Sequence, residues 1–361
     1  NNTAVGYQAG LAITDAVQNT IVGTQALMTD DQSDRTTAVG YQALKSQNGG
    51  TGNSGNTALG YAAGYENVTG TNNTYLGYAA GLGGTGSNSS NTGVGKDALL
   101  AVTTGGENVC IGQACGDSIT DGHQNVGIGA NAFNGTSSVG WATVIGFQAG
   151  QGNMTAAADG TIAIGAYAGA AITSGARNMS LGYQSMLVHT TGDDNVVIGY
   201  QSMVDNNVGS NALASGANVF VGNYTGGGTW GDDAASSDNV AVGHSAMSAN
   251  LNGAIKNVAV GRQAMAALTT GEFNTAMGWR SLFDLTTGER NVCIGYGSAE
   301  NTVAGTHNTS VGMGALGTTT NAVVGTVAIG YNAIGGTHSD SREANEPKFK
   351  TFSNKPIIIR D

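Results

Sequence analysis

One short phrase recurs along almost the whole chain: Asn, then Thr or Val, a small residue, an aliphatic residue and Gly, often followed by Tyr-Gln-Ala. It reads NTAVGYQAG from Asn2, NTALGYAAG from Asn56, NVCIGQACG from Asn108, NVVIGYQSM from Asn195, NVAVGRQAM from Asn257 and NVCIGYGSA from Asn291. There are 19 copies, with Gly6, Gly60, Gly112, Gly199, Gly261 and Gly295 closing the motif in these six; the commonest interval is 17 residues and the longest is 23. A fixed period of this length means a stack of small units that each pack only on their neighbours. That is why 361 residues need not divide into two or three globular domains.

Each position of the phrase carries a physical expectation. The residue before Gly is apolar in all 19 copies, and the one two earlier is Thr, Val or Ile in 18. Residues i and i+2 of a strand share a face, so this pair is expected to point together into a core. The residue between them is Ala, Gly, Ser or Cys in 14 copies, which predicts a second close contact and a strand buried on both sides. The Gly implies a positive φ or a tight backbone approach at a bend. Three residues later the side chain is again small, and a second short strand is expected there. Asn opens 15 of the 19 copies; stacked amides at strand spacing predict a hydrogen-bonded ladder that also satisfies buried turn groups. The fold class is therefore all-β: a parallel β-solenoid (β-roll) of about 19 coils. At a strand spacing of about 4.8 Å such a stack would be roughly 90 Å long.

Composition agrees and excludes alternatives. The chain has 60 Gly but only 2 Pro and no Gly-X-Y period, so it is not collagen. Its 40% hydrophobic content argues against disorder. A net charge of −11 disfavours nucleic acid and anionic membranes as partners, and no apolar run is long enough for membrane insertion as a helix. The chain opens inside a repeat, which reads as a segment of a longer or processed protein.

These residues resemble the YadA-type head repeats of trimeric autotransporter adhesins, and more closely the NTAVGYQAL-type repeats of phage tail-fibre-like proteins. Residues 2–334 carry the resemblance. It implies a left-handed roll assembled as a homotrimer, one face of the strand packing on the chain's own core and the other near the trimer axis. It further implies a structural fibre or shaft that works with other fibre or virion proteins and contacts a host-surface glycan or protein. The alternative is a bacterial trimeric surface adhesin head. A phage fibre would continue into a particle-binding domain or chaperone, an adhesin into a coiled-coil stalk and membrane anchor.

The repeat shaft is assigned to residues 1–336 and a non-repeat tail to 337–361, where both prolines lie. At their junction, Ser339-Asp340 resembles the scissile bond that opens the self-cleaving chaperone of many phage fibres. Glu343-Ala344 replace the Leu-Lys of that pattern, and 21 residues are too few for the chaperone, so a capping or joining tail is the favoured reading.

Chemistry-bearing motifs are sparse. His123, His189, His244, His307 and His338 are scattered singly, and no metalloprotease, nucleophile-elbow or P-loop signature occurs. Cys110, Cys115 and Cys293 read as small buried hydrophobes. The acidic pairs Asp30-Asp31, Asp193-Asp194 and Asp232-Asp233 read as turns in the absence of a calcium-binding nonapeptide. No catalytic residue, cofactor or metal site is assigned. A hexapeptide acyltransferase helix would need an apolar residue every six positions, but Val39 is followed by Lys45 and Ile111 by Asp117. An ice-binding Thr file fails where Val109 and several later copies replace Thr. The residue after Gly is aromatic in ten copies, as at Tyr41, Tyr61, Tyr78, Trp279 and Tyr296; stacking between coils is the favoured reading, a glycan platform the other. Longer intervals fall at 44–55, 203–217 and 226–238, and the expected contact loop is Gly226–Asp233, with Trp230, Asp232 and Asp233 at a flexible tip.

Overall fold

The computed structural model describes residues 1–50, 52–84, 86–204, 214–231, 234–317, 322–334 and the strand Phe349–Lys350. The chain is a parallel β-solenoid, and it divides into two compact units, Asn1–Gln184 and Ser185–Asp361. The sequence boundary at 336/337 and the Ser339-Asp340 pair lie outside the described residues.

In the first unit, each coil contributes one three-residue strand, from Thr3–Val5 and Thr20–Val22 through Thr143–Ile145 and Ile162–Ile164 to Met179–Leu181. The strands pair in parallel and in register, Thr3 opposite Thr20, Val126 opposite Thr143 and Ile162 opposite Met179. In the second unit the same pairing runs from Val196–Ile198 to Val327–Ile329, and Phe349–Lys350 adds a last parallel pairing onto Val327 and Ala328.

The repeat glycine is where the coil turns. All 19 have positive φ, from +123° at Gly330 to +145° at Gly60. Successive glycines lie on top of one another: a Cβ on Gly6 would stand 2.6 Å from the carbonyl oxygen of Gly23, and one on Gly278 would stand 2.5 Å from that of Gly295. Conformation and contact each exclude a side chain. Among the described residues no strand follows directly after this Gly. The chain makes a run of turns in which the second and fourth residues after Gly are left-handed, as at Gln42 (φ 57°) and Leu44 (φ 48°). Each such non-glycine costs about 1 kcal/mol; the cost is offset by bonds between coils, such as Gln42 N–H to Thr24 O at 2.9 Å and Leu44 N–H to Ala63 O at 2.9 Å.

The inward assignment of the strand is corrected. The middle residue faces the core: Ile21, Ala38, Ala58, Val144, Val197 and Ala276 are fully buried. The flanking apolar and Thr/Val positions face outward, and Ile198 is only partly covered. Nor is the strand buried on both sides within one chain. The interior is narrow: most coils place a small residue there, and the larger Ile21, Tyr75, Val144 and Phe220 face Gly10, Gly64, Gly150 and Gly226, whose added Cβ atoms would lie within 3.1 Å of them.

Three further positions complete the core. The third residue after Gly is buried and small, as at Ala26, Ala43 and Ala264; the fourth is often Leu, Met or Phe; the seventh or eighth is a further apolar anchor, as at Val102, Ile119, Ile172, Leu251, Leu268 and Leu285. Volume is traded between neighbours. Tyr75 occupies space left by Gly64 and Gly93, whose added Cβ atoms would lie 3.1 and 3.2 Å from its ring. Gly127 makes room for Phe133 and the sulfurs of Cys110 and Cys115.

The Asn ladder is present in both units. Asn125 donates its backbone N–H (3.1 Å) and its Nδ2 (2.9 Å) to Asn108 Oδ1, and Nδ2 also reaches Val139 O at 2.7 Å. Asn274 repeats this on Asn257 Oδ1 and Gly288 O. In the first unit the side-chain file is broken at Thr36, Ala142 and Thr161, where the backbone N–H of Thr36 and of Ala142 still donates to the preceding Asn.

Candidate contact surfaces

Because the residue before Gly and the residue after it both point outward, the two files run side by side with the flat Gly file between them. Val5, Leu59, Leu76, Ile111, Leu181, Ile294 and Ile329 belong to the first, and all ten aromatics of the second are at least 41% exposed. Scattered surface apolar residues are ordinary, but a band repeated on every coil is not.

The aromatic rings largely cover one another. Tyr41 and Tyr61 stack at 5.2 Å between centroids with an interplanar angle of 14°, and Tyr61 and Tyr78 at 4.9 Å and 6°. Trp279 and Tyr296 meet edge to face at 5.3 Å, with the Arg262 guanidinium over the indole. In the Tyr41–Tyr61–Tyr78 stack the faces of the middle ring are taken by its neighbours and its edge is left to solvent, so this stretch makes a poor platform for a sugar ring.

The expected contact loop is corrected at Trp230. The indole is fully buried, meets Phe220 edge to face at 5.9 Å, and donates Nε1–H to Gly226 O at 3.0 Å. It is the core anchor of its coil, eight residues after Gly222 as Leu251 is after Gly243. Asp232 and Asp233 lie outside the described residues, as does 205–213 of the other long interval. The 44–55 interval contributes Gly52–Asn53, which pairs in parallel with Ser33–Asp34 as a separate two-stranded sheet.

The remaining sequence candidates disperse. His189 is fully buried, with Nε2 3.2 Å from Gly192 O and 3.3 Å from Asn195 Nδ2; burial pushes its pKa down to about 4. His244 packs edge-on against Tyr224. Cys110 and Cys115 face each other in the core, and their mutual contact together with burial holds the Cys110 thiol well above its ordinary range. Among the described residues, no three His, Cys, Asp or Glu side chains gather as a metal-binding group.

One surface was not anticipated from the sequence. The residue just before the motif Asn is left-handed and projects outward, giving the file Ser90, Glu107, Gln124 and Trp141, with φ between 52° and 60°. Gln124 Nε2 donates to Glu107 Oε2 at 2.7 Å. One position earlier the file runs Ser89, Gly106, His123 and Gly140. Gly106 therefore interrupts a row of side chains and leaves a groove of about 300 Å³, lined by Ser89, Thr104, Glu107, His123 and Gln124 among others. His123 packs against Gly140 and meets Trp141 edge to face at 4.6 Å, and Trp141 is 57% exposed. The available signal was a Gly at a position where neighbouring repeats carry polar side chains.

Fold and surfaces together define a parallel β-solenoid with a banded apolar exterior. No family model matches the chain, and no curated protein is significantly similar to it.

Proposed function

We propose that the chain is a shaft segment of an extracellular fibre of the phage tail-fibre kind, assembled as a homotrimer and joined to other fibre or virion proteins. On this reading its role is structural, holding or presenting an attachment surface for a host-cell glycan or protein. The observation that supports it is the outward apolar band. A single narrow coil cannot bury these Val, Leu, Ile and aromatic side chains itself, and copies of the same chain offer a matching surface at the same spacing. An acidic exterior with few charged residues on the band fits a contact made by packing rather than by ion pairs.

The test is mass in solution. Light scattering should give three times the chain's 36.0 kDa. Ile198→Asp, placed on the outward file, should keep the circular-dichroism signature of the folded chain and lower that mass, because a charge in an assembled apolar band is left unpaired. A monomeric mass for the unaltered chain at micromolar concentration would overturn the proposal, as would a trimer indifferent to Ile198→Asp.

A further inference from the structure

We propose that the groove over Gly106 is a binding site for an uncharged saccharide, a surface separate from the apolar band. The proposal deepens the attachment reading by naming a ligand class and a place for it.

The groove exists because a side chain is left out. Ser89 and His123 occupy the same outward position on the coils either side of Gly106. A Cβ on Gly106 would meet only one atom, Ser89 O at 3.0 Å, and Gly106 is not among the positive-φ glycines. The backbone is not left-handed and no side chain fills the space; the one constraint is that close carbonyl, which would have to give by a few tenths of an ångström. What its absence of a side chain provides is an open floor between two polar walls.

The lining selects among ligands. Ser89 and Thr104 offer hydroxyls, Glu107 a carboxylate, Gln124 an amide and His123 an imidazole. Such a set both donates and accepts, as adjacent sugar hydroxyls do. Gln124 Nε2, by donating to Glu107 Oε2 at 2.7 Å, holds the carboxylate in place so that little ordering is lost on binding. The carboxylate and the chain's charge of −11 disfavour an anionic sugar. The lining has no apolar wall for a lipid or a hydrophobic peptide. Its aromatic neighbour is Trp141, one coil further along, half-exposed and steadied by His123. An indole with a free side can take the apolar face of a pyranose ring, which the Tyr41–Tyr61–Tyr78 stack, its rings covering each other, cannot do along its length. The groove is open to solvent and its walls come from successive coils, so an extended polysaccharide can lie across it without the coils moving.

Saturation-transfer NMR on the full chain, with glucose, galactose and N-acetylglucosamine as probes and sialic acid as the charged control, tests the site. At least one uncharged sugar should show transfer and sialic acid none. Thr104→Trp, which places an indole in the groove from an exposed position, should abolish the signal. Trp141→Ala should weaken affinity by about tenfold, the size of one lost stacking contact. Glu107→Gln should weaken it while leaving the thermal melt unchanged. Absence of transfer from all three uncharged sugars at millimolar concentration would overturn the proposal, and so would transfer that survives Thr104→Trp. Either failure leaves a trimeric mass untouched, whereas sugar binding by a monomeric chain would sink the assembly reading and keep this one.

Discussion

The coils around Asn257, Asn274 and Asn291 and those around Asp30, Gln47 and Asn67 share a backbone and differ inside. In the first region Leu268 and Leu285 fill the anchor position seven residues after Gly, and every motif Asn donates twice to the Asn below it. In the second region the same anchor position holds Asp30, Gln47 and Asn67 on three successive coils, all fully buried. Asn56 and Asn67 both donate to Gln47 Oε1, and Asp30 accepts from Ser33 N–H at 3.2 Å. Yet Asp30 Oδ2, Ser33 Oγ, Gln47 Nε2 and Asn67 Oδ1 are buried without a protein partner. The two regions show that the coil is specified by its glycine file and strand ladder, and that the anchor position tunes stability without setting the fold.

If so, breaking the glycine file should be the largest effect and should be equal in both regions. Gly60→Ala and Gly278→Ala each put a Cβ into the next coil's backbone at a left-handed turn, and each should cost about 4 kcal/mol or more in a denaturant melt. A difference of more than about 2 kcal/mol between them would mean that core chemistry does help to specify the coil.

The anchor position should respond in opposite senses. Leu285→Asp buries an unpaired charge and should cost about 3–5 kcal/mol. Asp30→Leu removes a buried carboxylate with an unmatched oxygen and should be neutral or stabilising, within about 1 kcal/mol. Equal losses in both would show the polar cluster to be as necessary as the leucines.

Acid separates the two units more gently. The folded pKa of His189 lies near 4, below its ordinary 6.5, because burial disfavours the imidazolium. Unfolding therefore takes up a proton as pH falls below 6.5, and the second unit should lose about 3 kcal/mol by pH 4. Burial raises the Asp30 carboxyl, so its contribution is fully present at low pH and is lost as pH rises through its folded value. Acidification thus favours the first unit at Asp30 and weakens the second at His189. Hydrogen exchange at 189–195, corrected for the intrinsic rate, should show less protection at pH 5 than at pH 7, and His189→Gln should flatten that response.

Much of this is legible in the sequence, and each departure from it has its own physical source. The period, the parallel stacking of the coils, the position of the bend and the stacked Asn follow from spacing. The inward face does not, because Val, Ile and Thr on i and i+2 look like a core pair when only hydrophobicity is weighed; the small residue between them is a measure of interior width and not the sign of a second contact. The turns after Gly look like a strand in the sequence because Gln42, Leu44 and Met265 carry no outward mark of a left-handed backbone, although Gly10, Gly64, Gly116 and Gly226 at the same position as Leu44 and Met265 point to it. Gly-Gly-Gly before Trp230 suggests a tip, while its distance from Gly222 marks it as an anchor. The groove over Gly106 appears only when the coils are stacked and one row is seen to lack a side chain.

The in-register ladder also has a genetic consequence. Asn108 and Asn125 sit in the same place on successive coils, so excising residues 109–125 would join Asn108 to Val126 and restore Asn-Val-Gly-Ile-Gly at the seam. The new neighbours would meet with the strand register they already use, Val109 and Val126 being paired in the present chain. Slippage or recombination between repeats can therefore add or remove a whole coil without an intermediate that fails to fold, and the number of coils is free to drift in steps while the sequence of each stays under the same constraint.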